Sequence, residues 1–188
     1  MRTYSSSPLA VLPPPGPPAP EPTPLDAALL ADISCGLAAA EELWRPHAHH
    51  CEGARRPVRL VAADRWEAWV IGWTTGQRVE LHDHGRSAAA VTVVEGELVD
   101  ARLRPPHVVH VNLGTGSTTW IRPGAVHDIV APGPEPATSI HVYSPPLRTM
   151  AFYDLTGDVL RTEPVVEEAP VSDLRRASRA LHPSAPGA

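Results

Sequence analysis

Cysteine is scarce in this chain: only Cys35 and Cys51 occur in 188 residues, beside a single phenylalanine and two methionines. Two thiols cannot staple a fold at several points. That excludes a disulfide framework and makes a reducing compartment, the cytoplasm, the expectation. Positive charge is in deficit too, with 16 Lys and Arg against 21 Asp and Glu and a formal net charge of -5. This balance gives no electrostatic reason to expect nucleic acid as a partner. No apolar run is long enough to cross a membrane. The N-terminal MRTYSSSPLAVLPPPGPP lacks both the basic start and the sustained apolar stretch of a secretory signal, because prolines interrupt it. What remains is ordinary for a soluble globular chain: 43% hydrophobic and 20% charged residues, at a length that builds one domain with a real core.

Proline, at 23 residues, and histidine, at 10, are the excesses. Pro8 to Pro24 is dominated by Pro, Ala and Gly and has almost nothing to bury, so residues 1–24 read as a disordered arm. From Leu25 the pattern changes. Leu29, Ile33, Leu37 and Leu43 fall near a helical period, with Asp26 placed to favour the helix dipole. One or two helices ending near Arg45-Pro46 are expected, with Gly36 a point of interruption. From Pro57 onward short segments rich in Val, Ile, Thr and aromatics alternate with turn signals such as Gly76, Glu95-Gly96, Pro105-Pro106 and Pro132-Gly133-Pro134. Strands at this spacing predict an all-β sandwich or closed barrel over residues 57–163, joined to the helical segment 25–46 as one domain spanning 25–163. Residues 164–188 read as a flexible tail with one short helix at Ser172 to Leu181.

The histidines carry the chemistry. His82 and His84 are two apart, so in a strand their imidazoles share a face and can meet one point inside a barrel. Downstream, Trp120-Ile121-Arg122-Pro123-Gly124-Ala125-Val126-His127 reads as a strand, a Pro-Gly turn and a histidine opening the next strand. Three neutral imidazoles from two hairpins would occupy one face of an octahedral metal and leave its other positions open. A denser cluster, His47, His49, His50 and Cys51, follows the helix end among Pro, Gly, Glu and Arg, which reads as an exposed loop. His107 and His110 need not face the same way, and Trp73 or Trp120 could line a pocket.

The series Gly76-(x5)-His82-x-His84-(x11)-Gly96, followed by Gly124-xx-His127, resembles the two motifs of the cupin superfamily. The first motif usually carries a glutamate as a fourth ligand, and Ala89 stands in its place here. Loss of that carboxylate resembles the cysteine dioxygenase family, whose iron is held by three histidines. Ser139-Ile140-His141-Val142-Tyr143 puts three polar groups on one strand face and resembles the Ser-His-Tyr relay of the same family. Some members crosslink that tyrosine to a cysteine; its place also aligns with Ala89, so no crosslink can form.

The resemblance covers roughly Pro57 to Glu163. It implies a cupin barrel (double-stranded β-helix, or jelly roll) with one or two N-terminal helices packed on it. It implies one Fe(II) per chain on His82, His84 and His127, with O2 as co-substrate and Ser139, His141 and Tyr143 as catalytic residues. The implied reaction converts L-cysteine to cysteine sulfinic acid. Three neutral ligands leave the site at net charge +2, which favours an anionic sulfur and lowers the thiol pKa. The family binds the substrate carboxylate with an arginine on an early strand. Arg59 is the placement here, with Arg56 and Arg65 competing.

Other small thiols, 3-mercaptopropionate or mercaptosuccinate, are alternative substrates. A non-catalytic metal- or ligand-binding cupin sensor is the alternative class, and a Mn or Zn cupin enzyme is disfavoured by Ala89. The expected partner is a small thiol, with the chain a monomer or weak homo-oligomer that binds neither nucleic acid nor membrane.

Overall fold

The structure, a computed structural model, describes residues 22–104, 106–165 and 169–171. Most of the proline-rich arm and the helix expected at 172–181 lie outside the described residues.

Helix α1 (Ala27–Ala39) starts where Asp26 caps it, its carboxylate accepting from the Leu29 amide at 2.8 Å. The helix runs through Gly36 and ends at Ala40, and α2 (Glu41–Trp44) adds one turn. The buried stripe of α1 is Leu30, Ile33, Ser34 and Leu37, whereas Leu29, expected inside, is 43% exposed. Leu29 and Leu30 are adjacent, so only one can face the sheet, and the spacing to Ile33 and Leu37 suits Leu30 equally well.

The strands that follow are β1 (Val58–Ala62), β2 (Glu67–Trp73), β3 (Arg78–His82), β4 (Ala88–Glu95), β5 (Glu97–Arg104) and β6 (His107–Gly114). Then come β7 (Thr118–Ile121), β8 (His127–Val130), β9 (Ala137–Ser144), β10 (Thr149–Tyr153) and β11 (Val159–Pro164). They form two sheets, ordered β1-β2-β9-β4-β7 and β11-β10-β3-β8-β5-β6, with antiparallel pairing throughout. This is the two-sheeted jelly-roll barrel expected from the strand spacing, with the helices on its outside.

Alternation along the central strands separates two cores. Trp69, Ile71 and Trp73 of β2, Ala89, Val91 and Val93 of β4, and Tyr143 of β9 point into the barrel. Ala68 and Val70, Ala88 and Ala90, and Ile140 and Val142 point outward, under Leu30, Ile33, Leu37, Leu43 and Trp44. That is why β9 is buried along its whole length rather than on alternate residues. Each fully buried leucine of the helical layer contributes about 1.5–3 kcal/mol. One polar bridge crosses the layer, Ser34 Oγ lying 2.7 Å from Thr92 Oγ1. The chain leaving α2 lies so close to β2 that a Cβ on Gly72 would sit 2.3 Å from the His49 carbonyl oxygen. Only glycine allows that approach.

The barrel sets the address of the site. β3 and β8 pair in one sheet with His82 opposite His127, while β9 carries its polar residues on the facing sheet.

Candidate metal centre

β3 ends at His82, so His84 stands in the turn beyond rather than on the strand, as the simple alternation had it. The turn is pinned by Asp83. Its carboxylate accepts from the Gly85 amide at 3.0 Å and from the Tyr153 hydroxyl at 2.7 Å. Held this way, the two imidazoles still converge, with Nε2 of His82 and His84 3.2 Å apart. His127 opens β8 and brings its own Nε2 to 3.4 Å from that of His84. All three side chains are at most 3% exposed. Among the described residues they form the one cluster of potential ligands close enough to share an ion.

The far sides of the rings decide what the near sides offer. His82 Nδ1 donates to the Glu80 carbonyl at 2.7 Å, and His127 Nδ1 donates to Asp100 Oδ1 at 2.8 Å. Both Nε2 atoms are therefore lone pairs. His84 Nδ1 has no hydrogen-bond partner among the described residues, so with that ring's proton there all three Nε2 atoms crowd their lone pairs toward one point, two of them within 3.4 Å of His84's, an arrangement that suits a cation. Burial, reinforced by the neighbouring His127, holds His82 and His84 well below the ordinary imidazole pKa, so neither ring relieves the crowding by taking up a proton near neutrality. The donor set fits a divalent iron: three neutral imidazoles on one face, no carboxylate among them, and Ala89 fully buried where a fourth ligand would stand.

Asp100, which sequence reasoning missed, completes the arrangement. It is fully buried on β5, its other oxygen bound by Arg102 at 2.8 Å, and its hydrogen bonds to His127 and Arg102 keep its pKa below the usual carboxylate value despite burial. The signal was available: an acidic residue between Val99 and Ala101, on a strand whose neighbours are apolar. Such outer partners orient a ligand ring and raise its basicity.

The facing sheet contributes Ser139, His141 and Tyr143, brought together as expected. Their polar atoms form one hydrogen-bonded chain. The Trp73 indole can only donate, and it does so to Ser139 Oγ at 2.9 Å. Ser139 Oγ lies 2.9 Å from His141 Nε2, and His141 Nδ1 lies 3.2 Å from the Tyr143 hydroxyl oxygen. Burial first, then proximity to His127 and Arg55, pulls His141 down to about 3. Burial and the nearby Glu67 push the Tyr143 phenol up. His141 thus holds the Tyr143 hydroxyl at the cavity wall, beside His84, whose ring lies 5.0 Å away edge-on.

The three histidines, His141 and Tyr143 wall a cavity of about 630 Å³ lined also by Trp69, Trp73, Leu147 and Phe152, a size suited to a small ligand. Trp73 is in the lining, whereas Trp120 is 39% exposed.

Arg59, expected to meet the substrate carboxylate, stands beside an acid. Its register opposite Trp69 turns it inward, but Glu67 Oε2 takes its guanidinium at 2.8 Å, and the side chain is not among those lining the cavity. Glu67 is itself fixed by the Leu147 amide at 3.0 Å, so the pair is a buried structural element. Neither Arg56 nor Arg65 lines the cavity; Arg55 does. In the His47–Cys51 segment, His50 Nε2 is spent on the Ala137 carbonyl and Thr138 hydroxyl, at 3.1 and 3.0 Å. His107 and His110 are both exposed on β6.

A pH dependence follows from the neutral imidazoles. The folded chain keeps His82, His84 and His141 unprotonated, while the unfolded chain protonates each below about 6.5. The unfolded state then binds more protons, so stability falls as pH falls below that value, at about 1.4 kcal/mol per pH unit per imidazole. For His141 the loss continues to about 3. Urea midpoints of the metal-free protein are expected to drop steeply from pH 7 to pH 5; a flat profile contradicts the buried neutral rings.

A family model, cysteine dioxygenase type I, matches residues 23–156. Among solved structures, the TT1209 protein from Thermus thermophilus superposes with a TM-score of 0.50 at 20% identity, covering 54% of this chain and 93% of that one. An uncharacterised protein with a double-stranded β-helix domain from Klebsiella pneumoniae gives a TM-score of 0.48 at 20% identity, covering 65% and 94%. The first of these likenesses speaks for the barrel. Among the described residues no helix is long and apolar enough to cross a membrane.

Proposed function

Because the chain belongs to the cysteine dioxygenase type I family and is an iron(II)-dependent thiol dioxygenase on a cupin barrel, we propose that its substrate is L-cysteine and its product cysteine sulfinic acid. The observation that carries this reading is the convergence of three imidazole lone pairs, with no carboxylate, on a buried cavity faced by Tyr143. In the reaction both atoms of dioxygen are added to sulfur; the thiol sulfur is oxidised by four electrons, dioxygen accepts them, and no other reductant is needed.

Iron bound there supplies the redox chemistry and the positive charge that favours thiolate over thiol. The protein does the rest. His82, His84 and His127 hold the ion, and Asp100 and the Glu80 carbonyl set which ring nitrogen each presents. Tyr143 donates its hydroxyl proton toward oxygen or carboxylate atoms of the reactants, and Ser139 and His141 hold it in that orientation. Trp69, Trp73, Leu147 and Phe152 exclude water from the reacting sulfur. A reducing, cytoplasmic setting suits both iron(II) and the two free thiols, Cys35 and Cys51.

The test is a comparison of kcat/KM for L-cysteine, 3-mercaptopropionate and mercaptosuccinate with iron-loaded protein, products read by mass spectrometry. Cysteine is expected to lead. A clear preference for either acid would replace cysteine as the substrate while leaving thiol dioxygenation in place.

A further inference from the structure

Two of the three metal ligands have a ring partner of their own, and the third has none. His82 is oriented by the Glu80 carbonyl and His127 by Asp100, whereas His84 Nδ1 is buried without a hydrogen-bond partner. A ligating imidazole ordinarily donates that N–H to an outer acceptor, which fixes the ring. His84 also stands beyond the end of β3, outside any strand ladder. Its aim therefore has to come from the backbone on either side of it.

That backbone is held by Asp83, which is buried. Its carboxylate accepts from the Gly85 amide at 3.0 Å, bridging from the residue before His84 to the residue after. From outside the turn, the Ala151 amide lies 3.4 Å from Oδ1, and the Tyr153 hydroxyl donates to Oδ2 at 2.7 Å. The Asp83 amide in turn donates to the Ala151 carbonyl at 2.9 Å, and the Gly124 amide to the Gly85 carbonyl at 3.0 Å. Phe152 is opposite His82 in register and lines the cavity, so Tyr153 beside it turns to the other face, where it meets Asp83. Hydrogen bonds to a carboxylate are charge-assisted, and Tyr153 makes the shortest of those to Asp83.

We propose that Tyr153 is a positioning residue for the metal: through Asp83 it holds the turn that aims His84 at the other two ligands. The proposal rests on the three-histidine centre and is independent of which thiol is oxidised. Tyr153 is absent from the cavity lining, so it acts on the metal at two removes. The hydroxyl fixes the carboxylate, the carboxylate fixes the turn, and the turn stands in for the outer partner that the ring lacks. Iron affinity thereby depends on the β10–β11 hairpin, whose second strand is a sheet edge exposed along its length.

The experiment compares wild type, Tyr153→Phe, Asp83→Ala, the double variant of these two, and Thr156→Ala. Thr156 is the control, because its hydroxyl bonds Asp154 at 2.6 Å in the same hairpin and has no part in holding Asp83. Affinities for Co(II), and for Fe(II) without oxygen, are measured by competition against a chelator. The visible bands of the Co(II) protein report ligand geometry, and thermal melting of the metal-free protein reports the fold.

Tyr153→Phe is expected to raise the Kd for both ions about 10-fold, the low end of the range for loss of an outer partner. Its Co(II) bands are expected to shift from those of wild type, while the metal-free protein still melts cooperatively. Asp83→Ala is expected to lose about 10–100-fold, and adding Tyr153→Phe to it less than about twofold more, since the two act as one unit. Thr156→Ala is expected to keep the wild-type bands and a Kd within about twofold of wild type.

A Kd for Tyr153→Phe within about twofold of wild type overturns the proposal. So does a loss in Thr156→Ala equal to that in Tyr153→Phe, or fully additive losses in the double variant. If Asp83→Ala does not fold, the Tyr153 and Thr156 variants decide alone. Wild type that binds both ions yet forms no sulfinate from any thiol sinks the dioxygenase reading, and the Kd comparison still decides for or against Tyr153. Wild type that binds neither ion removes the metal centre and the proposal with it.

Discussion

Replacing His84 with alanine is expected to yield a folded protein that retains almost no iron and no measurable sulfinate formation. His84 is the shared neighbour of the other two ligands, its Nε2 lying 3.2 Å from that of His82 and 3.4 Å from that of His127. Losing it leaves two imidazoles where three converge, and the effect must exceed the roughly 10–100-fold in metal affinity that follows loss of an outer partner. The outer partner provides the graded control. Asp100→Asn keeps an acceptor near His127 Nδ1 but removes the charge that holds Arg102, so iron affinity is expected to fall about 10–100-fold without vanishing.

Folding of the metal-free His84 variant should not suffer in proportion, because a buried imidazole held far below its ordinary pKa is itself a liability at acid pH. Elemental analysis and the metal-dependent rise in Tm read the two effects apart. Iron retained at wild-type stoichiometry in His84→Ala would contradict the assignment of the centre.

The second large effect is on turnover rather than on iron. Tyr143→Phe removes the hydroxyl that the Ser139–His141 chain holds at the cavity wall. Its kcat for cysteine is expected to fall about 10–100-fold at unchanged iron content. The far end of that chain predicts a companion result. Trp73→Phe deletes the donor-only group there, so Ser139 loses one of its two fixed partners and His141 is held less firmly. Its kcat should fall less than that of Tyr143→Phe, because the phenol remains. Since His141 titrates near 3 and Tyr143 is pushed up, neither contributes a titration to kcat between about pH 6 and 9 in wild type. A Tyr143→Phe enzyme with wild-type kcat would remove the phenol from the chemistry.

The iron ligands and the relay were legible in the sequence because each rests on short-range spacing that the barrel preserves. His127 follows a Pro-Gly turn and lands at a strand start; Ser139, His141 and Tyr143 alternate on one strand. Ala89, which the resemblance alone marked as the place of the cupin motif's glutamate, lies on β4 opposite Tyr143 in register. What could not be read was long-range pairing of charges. Nothing in VRLVAADRWEAW says that Glu67 closes on Arg59, since that depends on the β1–β2 register and on the Leu147 amide that fixes Glu67. Arg55 looked like one charge in a loop, and only the fold carries that loop to the cavity wall. Asp100 was overlooked because a strand acid ordinarily faces water. The exposed Leu29 records a further limit: helical period narrows the buried stripe to within one residue, and packing on the sheet chooses.

The fate of dioxygen bears most directly on the iron centre and its reaction together. Protein loaded anaerobically with iron(II) is given L-cysteine and isotopically heavy dioxygen, and the product is weighed. The expected product is cysteine sulfinate carrying two heavy oxygen atoms, formed only when iron is present. Cystine as the sole product, or sulfinate with fewer than two heavy atoms at early times, would contradict thiol dioxygenation at this centre.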